Sequence, residues 1–307
     1  MNSKILSSLA AAAMLAGCMT INKPKTLEGN WGLLLPFESM NAGHMIVKGN
    51  CATILWRWAS PIEMPISIDG NKFKVEHPWK FTIEGEFVGD NLTAKVTDKK
   101  GKDLGVVTGW RNPCIKPADT ADIKLGEPID LLKDGLDGWY SMNEKAPFCW
   151  SFDKKNGILS NKLNGSHGAA NIMSKRADFY DFNLEYDVRV PKGANSGVYL
   201  RGRYEIQTVD SYGKDVDCHN MAAYYGRVTP LKAVEKKPGE WQHVSVTLYK
   251  RHLTVILNGT KIIDNAPVVG ITGGAIDAKE FVPGPLYLQG DHSDADYKNM
   301  ILRPAVN

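Results

Sequence analysis

Hydrophobic and polar residues alternate along most of this chain with a period of two, and nowhere settle into a sustained helical period of 3.6. That is the signature of strands that bury one face, because successive side chains on a strand point to opposite sides. The clearest run is Val198–Thr208. Val198, Leu200, Tyr204 and Ile206 fall on one side, and Tyr199, Arg201, Arg203, Glu205 and Gln207 on the other, so it reads as one strand with an apolar and a polar face. Leu184, Tyr186, Val188 and Val190 alternate with Glu185, Asp187 and Arg189 in the same way. In the first half, Ile66–Ile68 and Phe73–Val75 flank Asp69-Gly70-Asn71, and Phe81–Val88 and Leu92–Val96 flank Gly89-Asp90-Asn91. Both read as hairpins. The fold class predicted is all-β.

The punctuation divides the chain. Residues 27–115 predict a small β barrel or sandwich, with Trp31, Trp56, Trp58, Trp79 and Trp110 assigned to its core rather than to a sugar-stacking platform. Residues 116–124, polar and containing proline, form the linker. Residues 125–307 hold many short strands and too much chain for a seven-stranded immunoglobulin sandwich, so a two-sheet jelly roll of about twelve strands is expected. Lys250-Arg251-His252 marks a hairpin between Gln242–Tyr249 and Leu253–Leu257.

Residues 1–17 read as a signal peptide, with Lys4 ahead of the short apolar run Ile5–Leu15. Leu15-Ala16-Gly17-Cys18 then forms a lipobox. Cys18 is the expected lipidation site, residues 18–26 a tether, and the outer membrane the destination, since Met19 replaces the aspartate that retains lipoproteins at the inner membrane. Four cysteines remain. Cys51–Cys114 and Cys149–Cys218 would respect the domains, with free thiols the alternative. The net charge is +3 with both signs interspersed, which gives no reason to expect a nucleic-acid partner.

The second domain resembles the 3-keto-disaccharide hydrolase family, common in polysaccharide-degrading Bacteroidetes. The resemblance runs from Asp134-Gly135-Leu136-Asp137-Gly138-Trp139 and Tyr180-Asp181-Phe182-Asn183-Leu184 through Asn195–Arg201 and Tyr204-Glu205-Ile206-Gln207. It continues with Asp210-Ser211-Tyr212-Gly213, Tyr225-Gly226, Pro238-Gly239-Glu240-Trp241, Leu257-Asn258-Gly259, Pro285–Gln289 and Lys298-Asn299. It implies a concanavalin A-like jelly roll with a sugar cleft, acting on glycosides oxidised at C3. The segment Gly290–Lys298 departs from the family pattern, which has a His-Gly pair after the glutamine and an arginine before the closing asparagine.

A 3-keto sugar has an acidified C2 proton, so its removal lets the C1 substituent leave by β-elimination, with or without rehydration. The base candidates are His292, Glu205, Asp210 and Asp291, with His292 first because imidazole titrates near neutrality. Arg201 is the expected donor to the ketone or enolate oxygen. Glu205, two residues from Arg201 and from Arg203 on one strand face, should be an ionised, low-pKa carboxylate that orients substrate. Asn195, Tyr199, Arg203, Gln207, His219, Tyr225, Gln289 and Asp291 complete the expected binding set. No cofactor is required, although a divalent cation could polarise the ketone. Asp291, Asp294 and Asp296 read as a solvated acidic turn rather than a calcium loop. The partners expected are an oligosaccharide or 3-keto-glycoside, the membrane through Cys18, and an upstream sugar 3-dehydrogenase. A non-catalytic carbohydrate-binding lipoprotein is the alternative. An ordinary retaining glycosidase is disfavoured, because no Glu-x-Asp-x-x-Glu strand is present.

Overall fold

The computed structural model describes residues 26–166 and 168–306. The expected leader and the lipidation site Cys18 lie outside these residues. Among them, no helix is long and apolar enough to cross a membrane.

The first eight strands are β1 (Gly29–Leu34), β2 (Ala42–Lys48), β3 (Cys51–Trp56), β4 (Ile62–Asp69), β5 (Lys72–His77), β6 (Phe81–Val88), β7 (Asn91–Asp98) and β8 (Asp103–Arg111). Each pairs antiparallel with the next, and β1 pairs with β8, so the sheet closes into a barrel. Closure removes the edges that would otherwise invite pairing with other chains. The alternation read from the sequence decides what points inward. In β5, Phe73, Val75 and His77 are buried while Lys72, Lys74 and Glu76 are exposed. Trp31 and Trp56 sit in the core, but Trp58 and Trp79 are 53% and 43% exposed, so the five tryptophans do not share one role.

The other thirteen strands build the second unit. They are β9 (Ile129–Asp130), β10 (Trp139–Ser141), β11 (Trp150–Asp153), β12 (Ile158–Asn161), β13 (Ile172–Ser174), β14 (Phe182–Arg189), β15 (Asn195–Leu200), β16 (Tyr204–Val209), β17 (Gln242–Tyr249), β18 (His252–Leu257), β19 (Thr260–Pro267), β20 (Tyr287–Leu288) and β21 (Ala295–Pro304). One sheet has the order β10-β13-β20-β15-β16, and the other β11-β12-β21-β14-β17-β18-β19, with β9 added to β21. Phe182, Leu184, Tyr186, Val188, Val244, Val246 and Leu248 from one sheet, and Val198, Leu200, Tyr204, Ile206 and Leu288 from the other, are all fully buried. This is the two-sheet jelly roll expected from the strand count and length.

The run Val198–Thr208 is not one strand. It is the hairpin β15–β16, turning through Arg201-Gly202-Arg203, with Arg203 N–H donating to Leu200 O. Arg201 and Gly202 take φ of +54° and +67°, the positive pair used by primed turns because it matches strand twist. Outside the turn, which removes Arg201 and Arg203 from the polar face, the face assignments survive for a geometric reason. Leu200 pairs with Tyr204 and Val198 with Ile206, so a turn centred on Gly202 returns even-numbered residues opposite even-numbered ones.

One segment leaves chain order. Val269–Phe281, between β19 and β20, belongs to the barrel unit, whose main run ends at Lys116. There Asn112 Nδ2 donates to Glu280 Oε1 at 2.7 Å, and His44 Nε2 lies 3.5 Å from the same oxygen, all three side chains buried. A buried carboxylate needs such partners to offset lost hydration. Neither domain-respecting disulfide forms, since Cys51, Cys149 and Cys218 are free thiols.

Trp31 is fully buried and its indole N–H donates to Leu27 O at 2.9 Å, whereas Trp58 is mostly solvated. Trp31→Ala is therefore expected to destabilise the barrel transition in urea unfolding by roughly 3–5 kcal/mol, and Trp58→Ala by no more than about 0.5 kcal/mol.

Candidate functional site

The register of the five-stranded sheet sets out one row of side chains across its outer face. Tyr140 pairs with Met173, Met173 with Tyr287, Tyr287 with Tyr199, and Tyr199 with Glu205. Two residues along, Gln207 pairs with Gly197, and Gln289 N–H donates to Gly197 O. The opposite faces of the same strands carry Val198, Ile206 and Leu288 into the core. The sheet therefore holds a polar and aromatic array on an apolar base.

Glu205 is the electrostatic centre of this array. Tyr199 Oη donates to Glu205 Oε2 at 2.8 Å, and the Tyr199 ring stacks on Tyr287 with centroids 4.1 Å apart. The Glu205 side chain lies across Gly197, where a Cβ would overlap its carboxylate, so glycine is needed at this position. Burial pushes the Glu205 carboxyl up to about 8, the Tyr199 hydroxyl pulls the other way, and the negative charge of Asp291 adds to the rise. The ionised, low-pKa carboxylate expected from the neighbouring arginines is thus corrected. The turn takes Arg201 and Arg203 off the strand face, and burial governs instead. The same burial, with Glu205 beside it, raises the Tyr199 phenol well above its usual range.

Asn171 ties this centre to a second titratable pair. Its Nδ2 donates to Tyr287 Oη at 3.0 Å, and its Oδ1 accepts from Gly290 N–H and Asp291 N–H at 2.7 and 3.2 Å. Next along the chain, His292 Nδ1 lies 2.6 Å from Asp291 Oδ1, and the Asp291 hydrogen bond raises the imidazole above its usual 6.5 against a smaller opposing effect of burial. Nδ1 has one proton to share, and the carboxylate is its stronger partner. Gln289 Nε2, at 3.2 Å from the same nitrogen, is a neighbour rather than a competing donor. This tautomer leaves Nε2 as the basic nitrogen of neutral His292.

The structure brings together Asn195, Tyr199, Glu205, Gln207, Gln289, Asp291 and His292. Gln207 Nε2 donates to Asn195 Oδ1 at 3.2 Å, and Ser293 Oγ bonds both the N–H and the carbonyl of Asn195. Tyr225 and His219 lie on a segment that runs along the β16 edge. Tyr225 N–H donates to Glu205 O, Ala222 N–H to Gln207 O, and the His219 and Tyr225 rings meet edge-on at 5.2 Å. Three expected residues go elsewhere. Arg203 Nη1 donates to the carbonyls of Arg201, Val282 and Pro283. Arg201, fully buried, stacks over Tyr180 and Tyr204 at 4.5 and 5.3 Å. Asp210 accepts from Gly193 N–H at 2.9 Å, closing a turn.

The acidic stretch is not a solvated turn. Asp296 is 5% exposed and pairs with Lys162 and Arg189 at 2.7 Å each; burial opposes its ionisation, but these cations hold it below the usual carboxylate range. Asp294 accepts from Leu163 N–H. No group of three His, Cys, Asp or Glu side chains poised to hold a metal occurs among the described residues. Tyr287 and Gly197 stand within motifs of the family resemblance but with no role assigned to them, and Asn171 stands in none. Gly197 carries a readable signal, a glycine opposite a polar residue in a strand, whereas Asn171 reaches the site only through tertiary register.

Among solved structures, the chain resembles a "putative glycosyl hydrolase" from Parabacteroides distasonis ATCC 8503 at 23% identity, over 64% of this chain and 94% of that one, with a TM-score of 0.47. A second "putative glycosyl hydrolase" from that organism matches at 24%, over 58% and 100%, with a TM-score of 0.45. The carbohydrate binding module CBM66 from Bacillus subtilis matches at 15%, over 54% and 95%, with a TM-score of 0.35. A search of curated proteins found no match. Residues 128–303 match the 3-keto-alpha-glucoside-1,2-lyase-like domain, more than half of the chain and nearly all of the jelly roll, and the chain belongs to that family.

Proposed function

We propose that this protein cleaves 3-keto-glycosides by β-elimination, with Asp291-oriented His292 as the base and Glu205 as the acid. The single observation that supports this reading is the run of contacts from Glu205 through Tyr199, Tyr287 and Asn171 to the Asp291–His292 pair, which joins a buried carboxyl pushed up to about 8 to an imidazole held by its own carboxylate. Titratable groups whose surroundings separate their tasks are the mark of paired acid and base catalysis. His292 Nε2 takes the C2 proton, and the electron pair moves toward the C3 carbonyl as an enolate. The carbonyl then re-forms, C1=C2 forms, and the C1–O bond breaks as Glu205 delivers a proton to the departing oxygen. The product is a 2-hydroxy-3-keto-glycal, and addition of water across C1=C2 gives net hydrolysis. Gln289, partly exposed, offers an amide to the sugar, and the buried Tyr199, Tyr287 and Gln207 form the floor beneath it.

The cellular setting belongs to the same proposal. Lipidation at Cys18 anchors the protein at the outer membrane, and an upstream sugar 3-dehydrogenase supplies the ketone. Incubation with 3-ketotrehalose, 3-ketosucrose and aryl 3-keto-β-glucosides tests the reading. A glycal or free 3-keto sugar is expected, and binding without turnover would replace the lyase with a carbohydrate-binding protein.

The pH dependence follows in sign. His292 must be deprotonated and Glu205 protonated, so kcat/KM rises as pH climbs past the raised imidazole value and falls as it passes about 8. Glu205→Gln should lower kcat and lose the alkaline limb, and a retained limb would remove Glu205 from the acid role. Gly197→Ala displaces the Glu205 side chain without touching the core. It should reduce kcat on the order of a hundredfold while circular dichroism and the thermal midpoint stay close to wild type.

A further inference from the structure

We infer that the barrel carries a second carbohydrate site, independent of the jelly-roll face, at the end where Trp58 and Trp79 are exposed. In a closed antiparallel barrel the connections β1–β2, β3–β4, β5–β6 and β7–β8 all lie at one end. Phe37 and Met40 fall in the first of these, Arg57 and Trp58 in the second, and Trp79 and Lys80 in the third. Ring contacts through the buried His77 and Trp56 link three of these connections from beneath. Trp79 meets His77 at 5.2 Å, His77 meets Trp56 at 6.3 Å, and Trp56 meets Phe37 at 6.0 Å. The Arg57 guanidinium then lies between Phe37 and Trp58, 4.0 and 4.1 Å from their ring centres.

His77 supplies the independent polar observation. It is 3% exposed and stacks on Phe81 at 4.3 Å. Its Nδ1 accepts from Trp79 N–H at 3.2 Å. Burial lowers the imidazole to about 4, so the ring is neutral and its one proton sits on Nε2. That N–H has no hydrogen-bond partner among the described residues, and neither has Arg57 Nε. Two unanswered donors among aromatic rings, with solvated indole faces beside them, call for a neutral ligand carrying both lone pairs and C–H faces. An oligosaccharide has both. Met40, Arg57 and Lys80, the non-glycine residues of the barrel unit with positive φ, each lie in one of these three connections. Strain of this kind collects where a surface is held for a ligand.

The probes are maltohexaose, cellohexaose, laminarihexaose and xylohexaose, added to the full-length protein and followed by tryptophan fluorescence and calorimetry. At least one should bind with a dissociation constant near or below about 1 mM. Trp58→Ala and Trp79→Ala should each weaken it about tenfold, and His77→Phe, which keeps a flat ring but removes the donor, should also weaken it. Thermal unfolding of each variant verifies folding. All three should turn over an aryl 3-keto-glucoside as wild type does, so loss of oligosaccharide binding is separable from failure of the lyase reading. Absence of binding to all four probes, or full affinity in the Trp58→Ala/Trp79→Ala double variant, overturns the proposal.

Discussion

One buried carboxyl sets the terms for the rest of the site. Glu205 sits on a sheet face where water does not reach it, with the Tyr199 hydroxyl as hydrogen-bond partner. A carboxylate in such a place is costly, so the group resists ionising near neutrality. Gly197 makes room for it, Tyr287 backs the tyrosine that bonds it, and Asn171 links that tyrosine stack to the Asp291–His292 pair. Each is a local choice that makes sense only because the sheet register lines up Tyr287, Tyr199 and Glu205.

Strand faces were legible in the sequence because a half-buried strand writes its burial with period two. Hairpins around Gly70 and Gly89 were legible because few residues other than glycine accept the turn backbone. The run at 198–208 shows the limit of that reading. A hairpin with one residue at its centre keeps parity across the turn, so alternation alone cannot separate it from a single long strand. The cost of that ambiguity fell on Arg201 and Arg203, assigned to the face of Glu205 and found in the turn beside it. The sign of the Glu205 shift changed with them.

Other parts were hidden for a different reason. Cross-strand partners are fixed by the whole sheet, so Asn171 and Tyr287 could not be placed beside His292 and Tyr199 from local pattern. The tryptophans of the barrel likewise differ in role by position alone. Trp56, in a strand, is buried, while Trp58, two residues later in a connection, is exposed. The expected jelly roll, by contrast, needed only strand count and length.

The return of Val269–Phe281 to the barrel unit bears on how the chain matures. During synthesis the eight barrel strands are complete once Arg111 has emerged. Glu280, which the Asn112 amide addresses, follows only after the whole of Pro117–Val268. The domain that begins first is therefore finished almost last. Whether the chain is delivered from the ribosome or through a membrane, Asn112 and His44 come long before their carboxylate, with most of the jelly roll in between. Cutting the chain at the linker would divide this polar cluster as well as the two halves of the sequence.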